Sequence, residues 1–329
     1  MDRTPFLITV DTEGDNLWAK PREITTRNAA YLPRFQALCD EFNFKPVYLT
    51  NYEMAMCDEF VEFARTVIAR DGGEVGMHLH AWNSPPLIPL TSDDFAHQPF
   101  LIEYPKPVMQ EKIRTITRLL EERFDRPIVS HRAGRFAFDR RYAAMLLAEG
   151  YGVDCSVTPG IDWRATPGDP RGSGGPDYSE FPQRPYFLDP DDIARPGNAR
   201  LLEAPVTIRC SGLYRRVPWM YRVPLLRRIA STMAPGPAWL SPAESTLDAM
   251  TRAAHGARDE GIEHLELMLH SSELMPGGSP SFPRSVDVEH LYVSLRTLFE
   301  DISAWCVGMT LKDFLERMRG TLRPHAASA

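Results

Sequence analysis

The sequence predicts an α/β protein on a mostly parallel sheet, either open or closed into a distorted (β/α)7-8 barrel. Short apolar runs alternate with stretches of helical spacing through the first half of the chain. About eight strands can be read along the whole chain, most followed by a helix, a number close to a (β/α) barrel. Clusters of polar residues fall where predicted strands end, the face on which such barrels build their sites.

Residues 6–10 are a short apolar strand that runs into acids. Helical spacing over 28–41 puts Leu32, Phe35, Leu38 and Phe42 on one side. A strand follows at 46–50, then a helix over 53–70 stopped by Gly72 and Gly73. Strand 74–77, helix 108–124, extended 127–130 and helix 140–149 continue the rhythm, with Gly150 as a C-cap. Strand 151–157 leads into 158–198, dense in Pro, Gly and Asp and too long for an ordinary connection. That segment reads as an inserted excursion over the site face, ordered or in part a mobile lid. Strand 201–209, helix 221–233 (despite Pro224), helix 247–260 and strand 264–269 come next. Helix 286–302, strand 304–308 and helix 310–318 close the chain, with Thr310 and Asp313 spaced as a capping box. There is no internal repeat or interdomain linker, so 1–320 reads as one domain and 321–329 as a flexible tail.

Lys plus Arg total 37 against 44 Asp plus Glu, a formal charge of -7, which argues against a nucleic-acid partner. A local cluster, Arg215, Arg216, Arg222, Arg227 and Arg228, is suited to an anionic group or is a solvated basic face. The apolar run at 6–10 is too short for a signal-peptide core or a membrane span. The cysteines are scattered and odd in number, with no CxxC, as expected of reduced thiols in a cytoplasmic protein.

The strand-end clusters carry the chemistry. Asp11 and Glu13 alternate, so an extended chain points both carboxylates the same way, and such a pair needs a metal, a proton or a cation between them. His78 and His80 share the i, i+2 spacing, and the four residues supply a mixed N/O set for Zn²⁺ or another first-row divalent ion. His270 ends an apolar strand and is a candidate third ligand or general acid. Arg132, among small residues, is placed to clamp a carboxylate. Asp154, inside an apolar strand, needs a partner, and either orients His270 or binds Arg132. Trp82, Trp163, Trp239 and Tyr186 lie in or near loops, suited to stacking on a sugar or to plugging the barrel mouth.

Together these residues resemble the polysaccharide deacetylase superfamily with its NodB-type catalytic domain, and more closely its branch associated with lipopolysaccharide and O-antigen synthesis. Ile8-Thr9-Val10-Asp11-Thr12-Glu13-Gly14 resembles the first motif. The run from Glu74 to Trp82 resembles the histidine motif, Arg132-Ala133-Gly134 the arginine motif, and Leu267 to Glu273 the last. Leu202-Glu203-Ala204-Pro205-Val206 is similar to a recurrent family strand. The resemblance implies a distorted NodB-like barrel and one divalent metal, commonly zinc, held by one carboxylate and two histidines. It implies hydrolytic removal of an N- or O-linked acetyl group from a sugar or glycan, with oligomerisation open. Carried over, Asp11 is the general base and Glu13 a ligand, or the reverse. His78 and His80 are ligands, Arg132 steadies the base, and Asp154 orients His270, the acid. A backbone N–H near Ala133 joins the oxyanion site, and Trp82, Trp163 and Tyr186 bind substrate.

Two departures stand out. The family's first motif has adjacent aspartates, whereas Thr12 separates Asp11 from Glu13. Its histidines lie four apart, whereas position 82 is Trp and the second histidine is His80. Either departure implies an altered metal preference, another small acyl group or a degenerate enzyme. The rival readings are another metal-dependent amidohydrolase and a glycan-binding protein without catalysis.

Overall fold

The computed structural model describes residues 3–211, 214 and 236–321. The helix expected over 221–233, the arginine cluster and positions 322–329 of the tail lie outside them.

The first half alternates as expected: β1 (Thr4–Thr12), α1 (Leu32–Glu41), β2 (Pro46–Thr50), α2 (Tyr52–Ala55), α3 (Asp58–Ala69) and β3 (Glu74–Leu79). α4 (Asp94–His97), α5 (Lys106–Phe124), β4 (Ser130–Ala133), α6 (Arg140–Ala148) and β5 (Val153–Asp154) follow. β6 (Tyr186–Phe187) sits in the long excursion. Then come β7 (Leu202–Glu203), β8 (Ile208–Arg209), β9 (Ala238–Trp239), α7 (Leu247–Asp259), β10 (Leu265–His270), α8 (Ser285–Ser303), β11 (Cys306–Gly308) and α9 (Leu311–Thr321).

Among the described residues a sheet runs β10-β1-β2-β3-β4-β5-β7-β6, with β11 on the start of β1. Every pair is parallel except β6 with β7. The fold is therefore α/β with a curled, partly open mixed sheet. The outer edge of β10 meets no continuous ladder. Glu266 N–H donates to Thr207 Oγ1 (2.8 Å) and Met268 N–H to the Leu240 carbonyl (3.0 Å). These irregular bonds satisfy the edge where a further strand would complete a barrel.

Several boundaries move for identifiable reasons. The helix expected over 53–70 is two, because Asn51 caps α2 through its side chain and Cys57 is extended before Asp58 and Glu59 open α3. The 28–41 segment begins as a 3-10 turn. The strand expected at 127–130 forms at β4 instead, which puts Arg132 within the ladder. Strands 151–157 and 201–209 shrink to short pieces around β5, β7 and β8. Thr310 Oγ1 accepts from the Asp313 N–H (3.1 Å), as in a capping bond.

Strand alternation sorts the core into layers. On β1, Phe6, Ile8 and Val10 pack under the helices, while Leu7 belongs to an inner cluster with Val47, Leu49, Val153, Cys155 and Leu202. Leu311, Phe314 and Leu315 of α9 close that cluster from below. Truncating such a buried leucine to alanine costs about 2–5 kcal/mol. Above this apolar floor the same face of β1 carries Thr9 and then Asp11. β3 repeats the logic: Val75, Met77 and Leu79 face the helices, and His78 takes the inner face.

Candidate metal centre

A cleft of about 470 Å³ opens at the C-terminal ends of the parallel strands, within the usual size of a small-molecule site. Asp11, Glu13, His78, His80 and His270 line it, with Trp18, Trp82, Phe136, Trp163 and Trp239.

Glu13, His78 and His80 are all buried, and their ligand atoms lie within 4.8 Å of one another. His80 Nε2 is 3.0 Å from His78 Nε2, and Glu13 Oε2 is 3.3 Å from His80 Nε2 and 3.7 Å from His78 Nε2. Tetrahedral ligation at ~2.0–2.1 Å implies donor separations of roughly 3.3 Å. His78 Nδ1–H donates to the Arg132 carbonyl (3.0 Å), which leaves the Nε2 lone pair facing the centre. Two imidazole nitrogens this close need a proton or a cation between them. The three residues are a buried His-His-Glu metal-binding triad, and the donor set suits a divalent ion.

Local sequence builds this centre. Glu13 is fixed just past β1, where its N–H donates to Ser271 Oγ (3.0 Å) and its carbonyl accepts from Asn28 Nδ2 (2.8 Å). His80 requires Gly134 beside it, since a Cβ there would stand 2.4 Å from the imidazole Cδ2. Trp82, four residues after His78, stacks face to face on His80 with ring centroids 4.3 Å apart. It supports the neighbouring ligand instead of replacing it.

Asp11 stands beside the triad. Its Oδ1 accepts from Arg132 Nη1 (2.7 Å), and its Oδ2 is 3.9 Å from both His78 Nε2 and His270 Nε2. Burial pushes the Asp11 carboxyl up, but Arg132, His78 and His270 outweigh it and hold it below the usual carboxylate range. Of the two carboxylates, Glu13 converges with the histidines, and Asp11 is held by the guanidinium.

Arg132 is fully buried beneath the cleft. It also donates to Thr9 Oγ1 (2.7 Å), to the Cys155 carbonyl (3.0 Å) and to Glu266. Burial pushes Glu266 up to about 7 against the opposing pull of Arg132. Glu266 has no assigned role in the sequence reading. The available signal was an acid inside an apolar strand, four residues before His270.

His270 Nδ1–H donates to Glu273 Oε1 (2.8 Å), and Trp18 packs edge-on against the ring (5.3 Å between centroids). Burial lowers the imidazole, yet Glu273, Glu13 and Asp11 together push it up to about 10. The partner expected for it, Asp154, is elsewhere. Asp154 Oδ1 accepts from His131 Nδ1 (2.5 Å) and Ser156 Oγ (2.9 Å), and His131 Nε2 accepts from the Tyr142 hydroxyl (2.7 Å). Strand alternation is the reason: Val153 and Cys155 belong to the inner cluster, and Asp154 between them takes the other face, opposite His131 in register.

Two more expectations are revised. The Ala133 N–H donates to Ser156 Oγ (2.8 Å) and is not a free oxyanion donor. Tyr186 is buried, with its hydroxyl donating to the Ile193 carbonyl (2.8 Å), and does not line the cleft. Trp163 does line it, on one wall with Phe136 (stacked, 5.8 Å) and Trp239. The excursion over 158–198 thus contributes to the site through Trp163 and Thr166.

Fold and centre together define an α/β protein with a curled, partly open mixed sheet and a buried His-His-Glu triad suited to a divalent metal. No protein-family model matches the chain, and no curated protein matches it. Solved structures do. A candidate polysaccharide deacetylase from Mycobacterium smegmatis is similar with a TM-score of 0.56 at 16% identity, over 100% of this chain and 95% of that one. Puue allantoinase gives 0.53 at 13% identity, over 98% and 91%. The 4-alpha-glucanotransferase from Thermococcus litoralis gives 0.51 at 12%, over 96% of this chain but 41% of that one. At such identities the likeness is one of fold. No helix among the described residues is long and apolar enough to cross a membrane.

Proposed function

We propose that this chain is a metal-dependent deacetylase that hydrolyses an N- or O-acetyl group from a sugar or glycan in cell-surface polysaccharide synthesis, acting in the cytoplasm. The observation that carries the reading is the position of Asp11 Oδ2, 3.9 Å from a triad ligand and 3.9 Å from His270 Nε2. A carboxylate and an imidazole this close to each other and to the triad support a base and an acid serving one acyl group.

Glu13, His78 and His80 would hold the metal, with zinc the first candidate for this donor set. A divalent ion there supplies Lewis-acid polarisation of an acyl oxygen and makes water more acidic. Asp11, kept ionised by Arg132, accepts a proton from the attacking water at Oδ2. His270, kept protonated by Glu273, donates from Nε2 to the departing sugar nitrogen or oxygen as the bond to the acyl carbon breaks. Acetate and the free sugar amine or hydroxyl are the products. Trp82, Trp163 and Trp239 offer flat faces to a pyranose.

The test is acetate release from N-acetyl sugars by zinc-loaded protein, beside the Asp11→Asn variant. Wild type should turn over, and the variant should keep its metal but lose about 10²–10⁴ in rate. Hydrolysis of simple cyclic or linear amides in preference to acetyl sugars would move the assignment to another amidohydrolase. Absence of both would leave a glycan-binding protein.

A further inference from the structure

Two cations lie on the cleft with no carboxylate in direct contact, although Glu103 acts on Arg135 from farther off. Lys20 and Arg135 both line it. Lys20 Nζ donates to the Ala96 carbonyl (2.9 Å), and Arg135 Nη1 donates to that of Gln98. Carbonyls two residues apart, at the end of α4, therefore gather both charges on one wall. Among the described residues neither has a carboxylate within ion-pair distance. The other cations of the centre are committed differently: Arg132 to Asp11 and Glu266, His270 to Glu273.

The arginine is also held in an uncommon way. Arg135 and Phe136 are consecutive non-glycine residues with φ of 56° and 58°, in the sparsely populated left-handed region. Both line the cleft. Phe100 lies under the guanidinium at 4.1 Å, and Arg135 Nη2 donates to the Pro167 carbonyl (2.6 Å). Of five guanidinium N–H groups, three remain. A guanidinium so fixed, beside an ammonium, suits an anion's oxygen pair.

We propose that the substrate carries an anionic group, a carboxylate or a phosphate, which Arg135 and Lys20 receive at this wall while the acyl group reaches the triad. The proposal rests on the acyl-sugar reading and names its substrate class.

The experiment is equilibrium binding of three probes to the full metal-loaded chain: N-acetylglucosamine, N-acetylglucosamine 1-phosphate and N-acetylmuramic acid. Wild type should bind at least one charged probe about tenfold tighter than the neutral one, the effect of one or two charge-assisted hydrogen bonds. Which charged probe gains tells phosphate from carboxylate. Lys20→Gln and Arg135→Gln should each shrink the preference several-fold, the double variant should remove it, and metal content should stay unchanged. Lys20 is exposed, so K20Q carries the test if R135Q folds poorly. Equal affinities for the three probes, failure of both charged probes to bind, or a preference that survives the double variant overturns the proposal. Acetate release without charge preference would leave deacetylation standing. Charge preference without acetate release from any probe would do the reverse.

Discussion

Two buried histidine–carboxylate clusters lie on opposite faces of one sheet. On the outer face of β4 and β5, His131, Asp154, Ser156 and Tyr142 bond to one another, and every side-chain polar atom among them has a partner. On the inner face, the two facing nitrogens of His78 and His80 stand 3.0 Å apart, and His80 Nδ1 has no partner at all. The outer cluster does not line the cleft, whereas the inner one forms its floor. Residue type does not separate them. Satisfaction does: a closed network stabilises the fold, and an open one leaves room for an ion and a substrate.

The largest effect that sharpens this contrast is on metal content. His78→Ala removes a ligand and should leave no stoichiometric metal by elemental analysis, with acetate release lost. His131→Ala should keep full metal. Metal retained in the first variant and lost in the second would invert the roles of the two faces.

The next effect is on stability. Asp154→Ala strips His131 Nδ1–H and the Ser156 N–H of their acceptor in a fully buried place. It should cost about 3 kcal/mol or more in urea unfolding, with metal content and probe binding intact. A variant of native stability that releases no acetate would instead place Asp154 in the chemistry.

Much of the inner face was legible because its signal is local. Asp11 with Glu13 and His78 with His80 each sit two apart across the end of a strand, and the extended chain there aims both members of a pair toward the cleft. The strand-end residues Asp11, Glu13, His78, His80 and His270 do line one cleft, and Asp11 lies opposite His270 in register. What was not legible depended on register and on packing between distant strands. Nothing near Asp154 in sequence reveals that it faces His131 across β4 and β5, and the pairing expected with His270 fails for that reason. Glu273 is the instructive case. It stands three residues from His270 in a predicted strand-end cluster, but its reach back to Nδ1 appears only once the 3-10 turn after β10 has formed. The divided helix at 53–70 is a capping effect, and Asn51 was its one sequence signal.

The smallest and most specific effect concerns that turn. Glu273 bonds both the His270 ring and its backbone N–H (3.2 Å). Glu273→Gln keeps an acceptor at nearly the same place and removes one negative charge. With a metal on Glu13, that ligand's charge is largely offset, so Glu273 becomes the chief electrostatic support of the imidazolium. His270 pushed up to about 10 serves as an acid below that pH and loses the role as pH rises through it. In the variant the imidazolium is less favoured, so the alkaline limb of the rate profile should move to lower pH, by about one unit or more. The acid limb belongs to Asp11, whose guanidinium partner is untouched, and should stay in place. A profile that falls uniformly at every pH would mean that Glu273 only orients the ring. An acid limb that moves while the alkaline one stays would exchange the roles given to Asp11 and His270.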